Sequence, residues 1–207
     1  MRERVIKNLR KWFALICAIL LYYIIHEGSH IIVALCYGVF EKVKILGLGV
    51  QVVANIESLT DFQKAIFCIS GSITTLIIAY CLVMFINKIV ECKSKFLKAI
   101  SYYTTLAFLL LDPLYLTIIY KFVGGGDMNG ILLIGIPEVV IQLIFAIITM
   151  SNILLTIKKI YPAYKKVLVN NKLQFLEQIV IENYLLLFIS SIDVSLSQHK
   201  GISSTIE

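Results

Sequence analysis

Two histidines and a glutamate lie inside an apolar stretch near the N-terminus, and their spacing is typical of a metal site. The stretch reads YYIIHEGSHIIVAL and contains His26, Glu27 and His30 in the pattern H-E-x-x-H. On a helix, residues four apart lie on one face, so both imidazoles can reach one ion. Imidazole suits Zn²⁺, and two histidines with one carboxylate leave a fourth position for water. Glu27 is then placed to act as the general base of a hydrolysis.

Two aspartates compete for the third ligand position. Asp112 lies within an apolar run, in LLLDPLYL, about as deep in its segment as His26 is in the first, at roughly 1.5 Å per residue. Pro113 would open that helix and free the carboxylate, although Asp112 could instead be a kink residue bonded to a neighbouring helix. Asp127 follows three glycines in GGGDMNG, whose irregular backbone can approach the ion where it lines a cavity. It could instead cap the next helix. The residues alone leave both aspartates open.

The composition is that of a membrane protein. The chain has 207 residues, is 59% hydrophobic with a mean hydropathy of +0.88, and only 15% of it is charged. A soluble domain of this size needs more charged surface. Apolar runs at about 12–40, 62–90, 96–123 and 131–157 are each long enough to span a bilayer. We therefore expect an all-α polytopic membrane protein with about four transmembrane helices, in contact with lipid rather than nucleic acid.

The segments outside these spans divide the chain into two parts. Residues 43–60, VKILGLGVQVVANIESLT, are broken by glycine and rich in β-branched residues, which predicts a short hairpin or extended segment at the membrane face. The sequence YPAYKK is expected to stop the fourth span. We therefore predict a membrane-embedded core over 1–160 and a more polar cytoplasmic tail with an amphipathic helix over 161–207.

Basic residues predict the orientation. Lysines and arginines cluster before the first span, between the second and third spans, and after the fourth. Such clusters favour the cytoplasmic side. We therefore expect a multi-pass protein of the cell membrane with both termini in the cytoplasm.

An H-E-x-x-H pattern inside the first core helix resembles the site-2 protease family of intramembrane zinc metalloproteases. The sequence ALCYGVFEKVKILGLGV, which follows the motif, is similar to the family's run into a short β-segment. The sequence ISGSITTL occupies the place of the family's small-residue motif in the second core helix. It departs from the common Gly-Pro-x-x-Asn form, with Ser72 for proline and Thr75 for asparagine. The resemblance covers all four spans.

The resemblance implies a zinc ion held by His26, His30 and Asp127, with Asp112 as the alternative third ligand. In family members the ligating aspartate commonly precedes glycine or small residues at the start of a helix, shortly before a GIP-like segment, which favours Asp127. Asn129, two residues further on, is a candidate donor to the substrate or to a tetrahedral oxyanion, although an asparagine in a loop is more often a turn residue.

The expected function is hydrolysis of peptide bonds in or beside the membrane by a zinc metalloendopeptidase. Its partners would be a membrane protein or peptide substrate and the lipid bilayer. Two other classes remain open. A metal-binding membrane transporter could use both histidines but has no need for Glu27 beside them. A catalytically inactive relative could bind and shelter a membrane partner.

Overall fold

The structure, a computed structural model, describes residues 2–46, 49–123 and 126–168. The chain opens with helix α1 (Arg2–Cys36), strands β1 (Phe40–Leu46) and β2 (Gly49–Ala54) and a 3₁₀ turn (Ile56–Ser58). Helices α2 (Asp61–Met84), α3 (Ile86–Glu91) and α4 (Lys95–Leu114) follow. A π-helical stretch (Tyr115–Ile119) leads into α5 (Tyr120–Val123), and α6 is Gly126–Leu132. Helix α7 (Glu138–Leu155) continues through a second π-helical stretch (Thr156–Ile160) into α8 (Tyr161–Leu168).

Four helical segments are long and apolar enough to cross a membrane, which confirms the predicted fold class. They are Leu9–Cys36, Asp61–Met84, Lys95–Phe122 and Glu138–Lys165. Many of their large apolar side chains are exposed, as expected for surfaces that face lipid. The chain is therefore a multi-pass membrane protein by length and composition.

Two predicted boundaries of the fourth span are wrong. The span begins at Glu138 rather than near residue 131, because Gly135 adopts φ +85° and Pro137 is extended, so that α6 is a separate helix. At the other end, Pro162 does not stop the helix. The π-helical stretch just before it lets the helix continue through a residue that lacks an N–H. Of the predicted tail, residues 161–168 are thus helical, and the amphipathic helix lies outside the described residues.

The predicted β-like segment forms an antiparallel hairpin, as expected. Strands β1 and β2 pair with Val43 opposite Val52 and Leu46 opposite Gly49. The Val39 amide bonds to the Ala34 carbonyl near the end of α1, and the Asn55 amide bonds to the Val39 carbonyl, which ties the base of the hairpin to that helix. Helix α2 then begins with a capping box between Thr60 and Gln63.

Helices α1, α2 and α4 pack against one another in pairs and form the centre of the protein. Small buried residues at their contacts, such as Ala14, Ala18 and Ala79, allow close approach of the helices, as is typical in membranes. Helix α7 packs on α4, and the short α6 packs on α2. This arrangement brings four parts of the chain to one region: the H-E-x-x-H motif on α1, Gly71 of α2, Asp112 of α4 and the start of α6.

Candidate metal centre

Three side chains from two distant parts of the chain converge on one point. The Nε2 atoms of His26 and His30 are 3.2 Å apart. Asp127 Oδ2 lies 3.4 Å from the first and 3.7 Å from the second. Around a tetrahedral zinc ion with bonds of about 2.0–2.1 Å, ligand atoms lie about 3.4 Å from one another. The triangle formed by these three atoms therefore has the size that one such ion needs.

The hydrogen bonds around His30 define which of its nitrogens carries the proton. His30 Nδ1 lies 2.7 Å from the carbonyl oxygen of Phe67, which can only accept. Ser70, whose hydroxyl donates to the same carbonyl, lies 3.2 Å from Nδ1. Nδ1 therefore donates a proton to Phe67, and the lone pair of the neutral ring is on Nε2. That lone pair is directed at the convergence point.

The second nitrogen of His26 faces the other aspartate. Asp112 Oδ1 lies 3.2 Å from His26 Nδ1, which has no protein partner with full hydrogen-bond geometry. The same carboxylate accepts a hydrogen bond from Tyr22 at Oδ1 and one from Thr75 at Oδ2, both at 2.5 Å. Since both hydroxyls donate to it, Asp112 is an acceptor for His26 as well. Nδ1 of His26 therefore carries a proton, and the lone pair of the neutral ring is on Nε2.

With both rings neutral, only acceptors surround the convergence point. Two imidazole lone pairs and a carboxylate oxygen lie within 3.7 Å of one another. Acceptors at such distances repel one another unless a cation lies between them. His26 and His30 are both buried, so water cannot screen this repulsion fully. The donor set fits a divalent cation that prefers nitrogen ligands, such as Zn²⁺.

Helix α2 forms the wall behind the histidines. A Cβ built at Gly71 would lie 2.7 Å from His26 Cε1 and Nε2, closer than side-chain atoms approach one another. Only glycine at this position lets the helix backbone approach the imidazole so closely. One turn further along α2, Thr75 is completely buried and reaches Asp112. The ISGSITTL segment thus positions the His26 ring from two sides.

Asp127 reaches the site from the first turn of α6. This helix is anchored to α2, because a side chain at Gly130 would overlap the sulfur of Cys68. Burial raises the pKa of Asp127, but the neighbouring imidazoles of His26 and His30 lower it by more, so that it lies below the ordinary value for aspartate. Asp127 is therefore present as the carboxylate at neutral pH, which is the form that ligates metals.

Glu27 lies beside the histidines but makes a different contact. Its Oε2 accepts a hydrogen bond from the backbone N–H of Val52 in β2, at 3.2 Å. Glu27 is nine residues before the end of α1, or about 14 Å along the helix. The hairpin must therefore fold back along α1 to reach it. As a result, an outer edge of β2 lies next to the motif.

The structure brings together most, but not all, of the expected site residues. Asp127 lies with His26 and His30 at the convergence point, whereas Asp112 lies behind His26 and does not reach His30 Nε2 within ion-pair distance. Asn129 also lies on α6, but its side chain is exposed. Pro113 does not open α4; the helix continues and widens into the π-helical stretch directly after it.

Two contributors were missed by sequence reasoning. Tyr22 has apolar neighbours in the sequence, which are typical of a packing residue, yet its hydroxyl donates to Asp112. Its position four residues before His26, on the same face of the helix, is the signal that could have found it. Thr75 stands where the resemblance departs from the family motif, and the hydroxyl donates to the same carboxylate.

No family model, no curated protein and no solved structure matches this chain. The site must accordingly be interpreted from its own geometry.

Proposed function

We propose that this protein is an intramembrane zinc metalloendopeptidase of the site-2 protease type. The observation that carries the proposal is the convergence of Asp127 with His26 and His30, which lie beside Glu27 on a membrane-spanning helix. Ionisable groups at this depth are expensive and usually functional. A metal-binding transporter would need the three ligands but not a second carboxylate next to them.

Each residue has a role in this proposal. His26, His30 and Asp127 hold the ion, with Asp127 rather than Asp112 as the third ligand. The zinc ion would supply Lewis-acid chemistry, by polarising a scissile carbonyl and lowering the pKa of a water molecule. Glu27 accepts the proton of the attacking water and passes it to the leaving amine. Asn129 would have to turn inward from its exposed position to donate to the oxyanion.

The substrate is proposed to be an extended segment of a membrane protein or peptide. A helix hides its carbonyls in its own hydrogen bonds, so the segment must unwind before hydrolysis. The β2 edge beside Glu27 offers backbone groups that can pair with such a segment. Pairing there would place the segment next to the three ligands.

The orientation is also part of the proposal. We infer a location in the cell membrane with both termini in the cytoplasm, from the distribution of basic residues. The hairpin connects the first span to the second, and α6 connects the third span to the fourth. Both connections would then lie on the outer side of the membrane, together with the site.

The decisive experiment compares wild-type protein with Glu27→Gln in lipid vesicles that contain a panel of transmembrane peptides. Glutamine is nearly the same shape but cannot accept the proton. We expect both proteins to bind zinc and only the wild type to cleave. Zinc binding without cleavage by either protein across the panel would favour the inactive relative, and equal cleavage by both would remove Glu27 as the base.

A further inference from the structure

Asp112 is the most deeply buried carboxylate among the described residues, and the proposed chemistry does not use it directly. It is 2% exposed and lies near the end of α4, within the membrane-spanning segment Lys95–Phe122. An unpaired carboxylate at that depth is costly, so its partners indicate what it does. Those partners are Tyr22 and His26 on α1 and Thr75 on α2.

The contacts of Asp112 have a defined direction. Tyr22 and Thr75 each donate one hydroxyl proton to it, at 2.5 Å. Both hydroxyls belong to well-packed side chains: Thr75 is fully buried, and the Tyr22 ring contacts the His26 ring with centroids 5.4 Å apart. The carboxylate of Asp112 on α4 is thereby held by side chains from α1 and α2, and its Oδ1 lies next to His26 Nδ1.

We propose that Asp112 is a positioning residue for the metal centre, which holds the His26 proton on Nδ1 and so directs the Nε2 lone pair at the ion. The inference rests on the proposed function, because it assigns Asp112 a role at the same site. His30 achieves the same result with the Phe67 carbonyl. The two ligands thus use different acceptors, one charged and one neutral. A charged acceptor also makes His26 the more basic ligand.

The network explains why the hydroxyl residues are needed. A lone carboxylate facing an imidazole could rotate and bind the ion itself. Oδ2 is bonded to Thr75 and Oδ1 is shared by Tyr22 and His26, so a rotation of Asp112 toward the convergence point would break these contacts. Tyr22 and Thr75 are therefore inferred to keep Asp112 behind His26.

The test measures zinc affinity by competition with a chromophoric chelator, and the metal's ligand shell by X-ray absorption. The variants are Asp112→Asn, Tyr22→Phe and Thr75→Val, and the matched control is Tyr80→Phe. Tyr80 donates a comparable hydrogen bond to Asn152, at 2.8 Å, outside the site. We expect Asp112→Asn to weaken zinc binding about 10–100-fold, as outer partners of metal ligands do, with the same number of imidazole and carboxylate ligands. Tyr22→Phe and Thr75→Val should each reduce the zinc affinity by a smaller factor, and Tyr80→Phe should leave it unchanged.

A second measurement separates positioning from a merely structural role. In metal-free protein, nitrogen-15 chemical shifts identify which nitrogen of His26 carries the proton. Wild type and Tyr80→Phe should hold it on Nδ1, and Asp112→Asn should move a measurable fraction to Nε2. If Asp112→Asn does not fold, Tyr22→Phe and Thr75→Val decide by the same two measurements.

Three results would overturn the inference. Asp112→Asn could bind zinc with wild-type affinity and an unchanged proton position. Its ligand shell could lack an oxygen that the wild type has, which would make Asp112 a direct ligand. The wild type could bind no divalent metal, which would refute the proposed function as well. Peptide cleavage does not enter the test, so a protein that binds zinc but cleaves nothing counts against the proposed function alone.

Discussion

The backbone N–H of Val52 donates to Glu27 Oε2 at 3.2 Å, so that the residue proposed as general base is held by a strand of the hairpin. The contact fixes the rotamer of Glu27 at the edge of β2. It also occupies a backbone donor that a paired substrate strand would use. An extended substrate that bonds to Val52 must therefore displace Glu27, which would free the carboxylate for the water.

Removing this donor should impair cleavage but not metal binding. In Val52→Pro the N–H is lost, and proline is tolerated at an outward-facing edge position. We expect at least a severalfold loss of kcat/KM, with zinc affinity unchanged. Val43→Pro is the matched control, because Val43 is the partner of Val52 in the ladder and its N–H faces the opposite edge of the hairpin. Equal losses in the two variants would show that the hairpin fold, rather than the Val52 donor, matters.

The metal stoichiometry follows from the three ligands. The purified protein should contain about one zinc ion per chain, because one H-E-x-x-H motif supplies one site. Atomic absorption should show loss of zinc in His26→Ala, His30→Ala and Asp127→Ala. The control is His199→Ala, which changes the one histidine outside the motif. Full zinc content in a variant lacking both motif histidines would contradict the site.

The close approach of α2 to His26 predicts a strong effect of a single methyl group. In Gly71→Ala the new Cβ would lie 2.7 Å from the imidazole, so the ring must move and carry Nε2 with it. Overpacking of this kind costs about 1–3 kcal/mol, which we expect to appear as weaker zinc binding and a lower Tm. Gly28→Ala is the control. It lies inside the motif but has no neighbouring atom within 4 Å, and should bind zinc as tightly as the wild type.

The orientation can be tested by labelling single cysteines in a cysteine-free background. A thiol reagent that cannot cross the membrane should modify Asn55→Cys in intact cells and miss Lys93→Cys. Both positions are exposed, and they lie at opposite ends of α2 and its continuation in α3. The reverse pattern would place the termini outside and leave the metal centre unaffected.

The sequence was sufficient for the spans and the hairpin, because both depend on local patterns. A run of about 20 apolar residues predicts a membrane span, and a β-branched segment broken by glycine predicts a hairpin. Both patterns can be recognised from residues close together in the sequence. The boundary at Glu138 was missed because the apolar run that begins at Ile131 continues past Pro137 into α7. The backbone conformations of Gly135 and Pro137 separate the two helices.

The different positions of the two aspartates in the site could not be predicted from local patterns. Asp112 is plausible as the third ligand by its depth, and Asp127 by its neighbouring residues. What distinguishes them is the side of the His26 ring on which each one lies. That depends on how α4 and α6 pack against α1 and α2. The hydroxyl partners of Asp112, Thr75 and Tyr22, lie 37 and 90 residues away in the chain, so no local pattern connects them.

The distance in sequence between the ligands has a consequence for assembly. The two histidines belong to the first span, and Asp127 follows them by about a hundred residues, after the third. During synthesis the first helix would enter the membrane with only two of the three proposed ligands, and the ion could be held fully only after α6 has formed. A bound ion would act as a cross-link that closes a long loop and restricts the unfolded chain. The order of insertion would thus delay the proposed hydrolytic activity until most of the protein is in the bilayer.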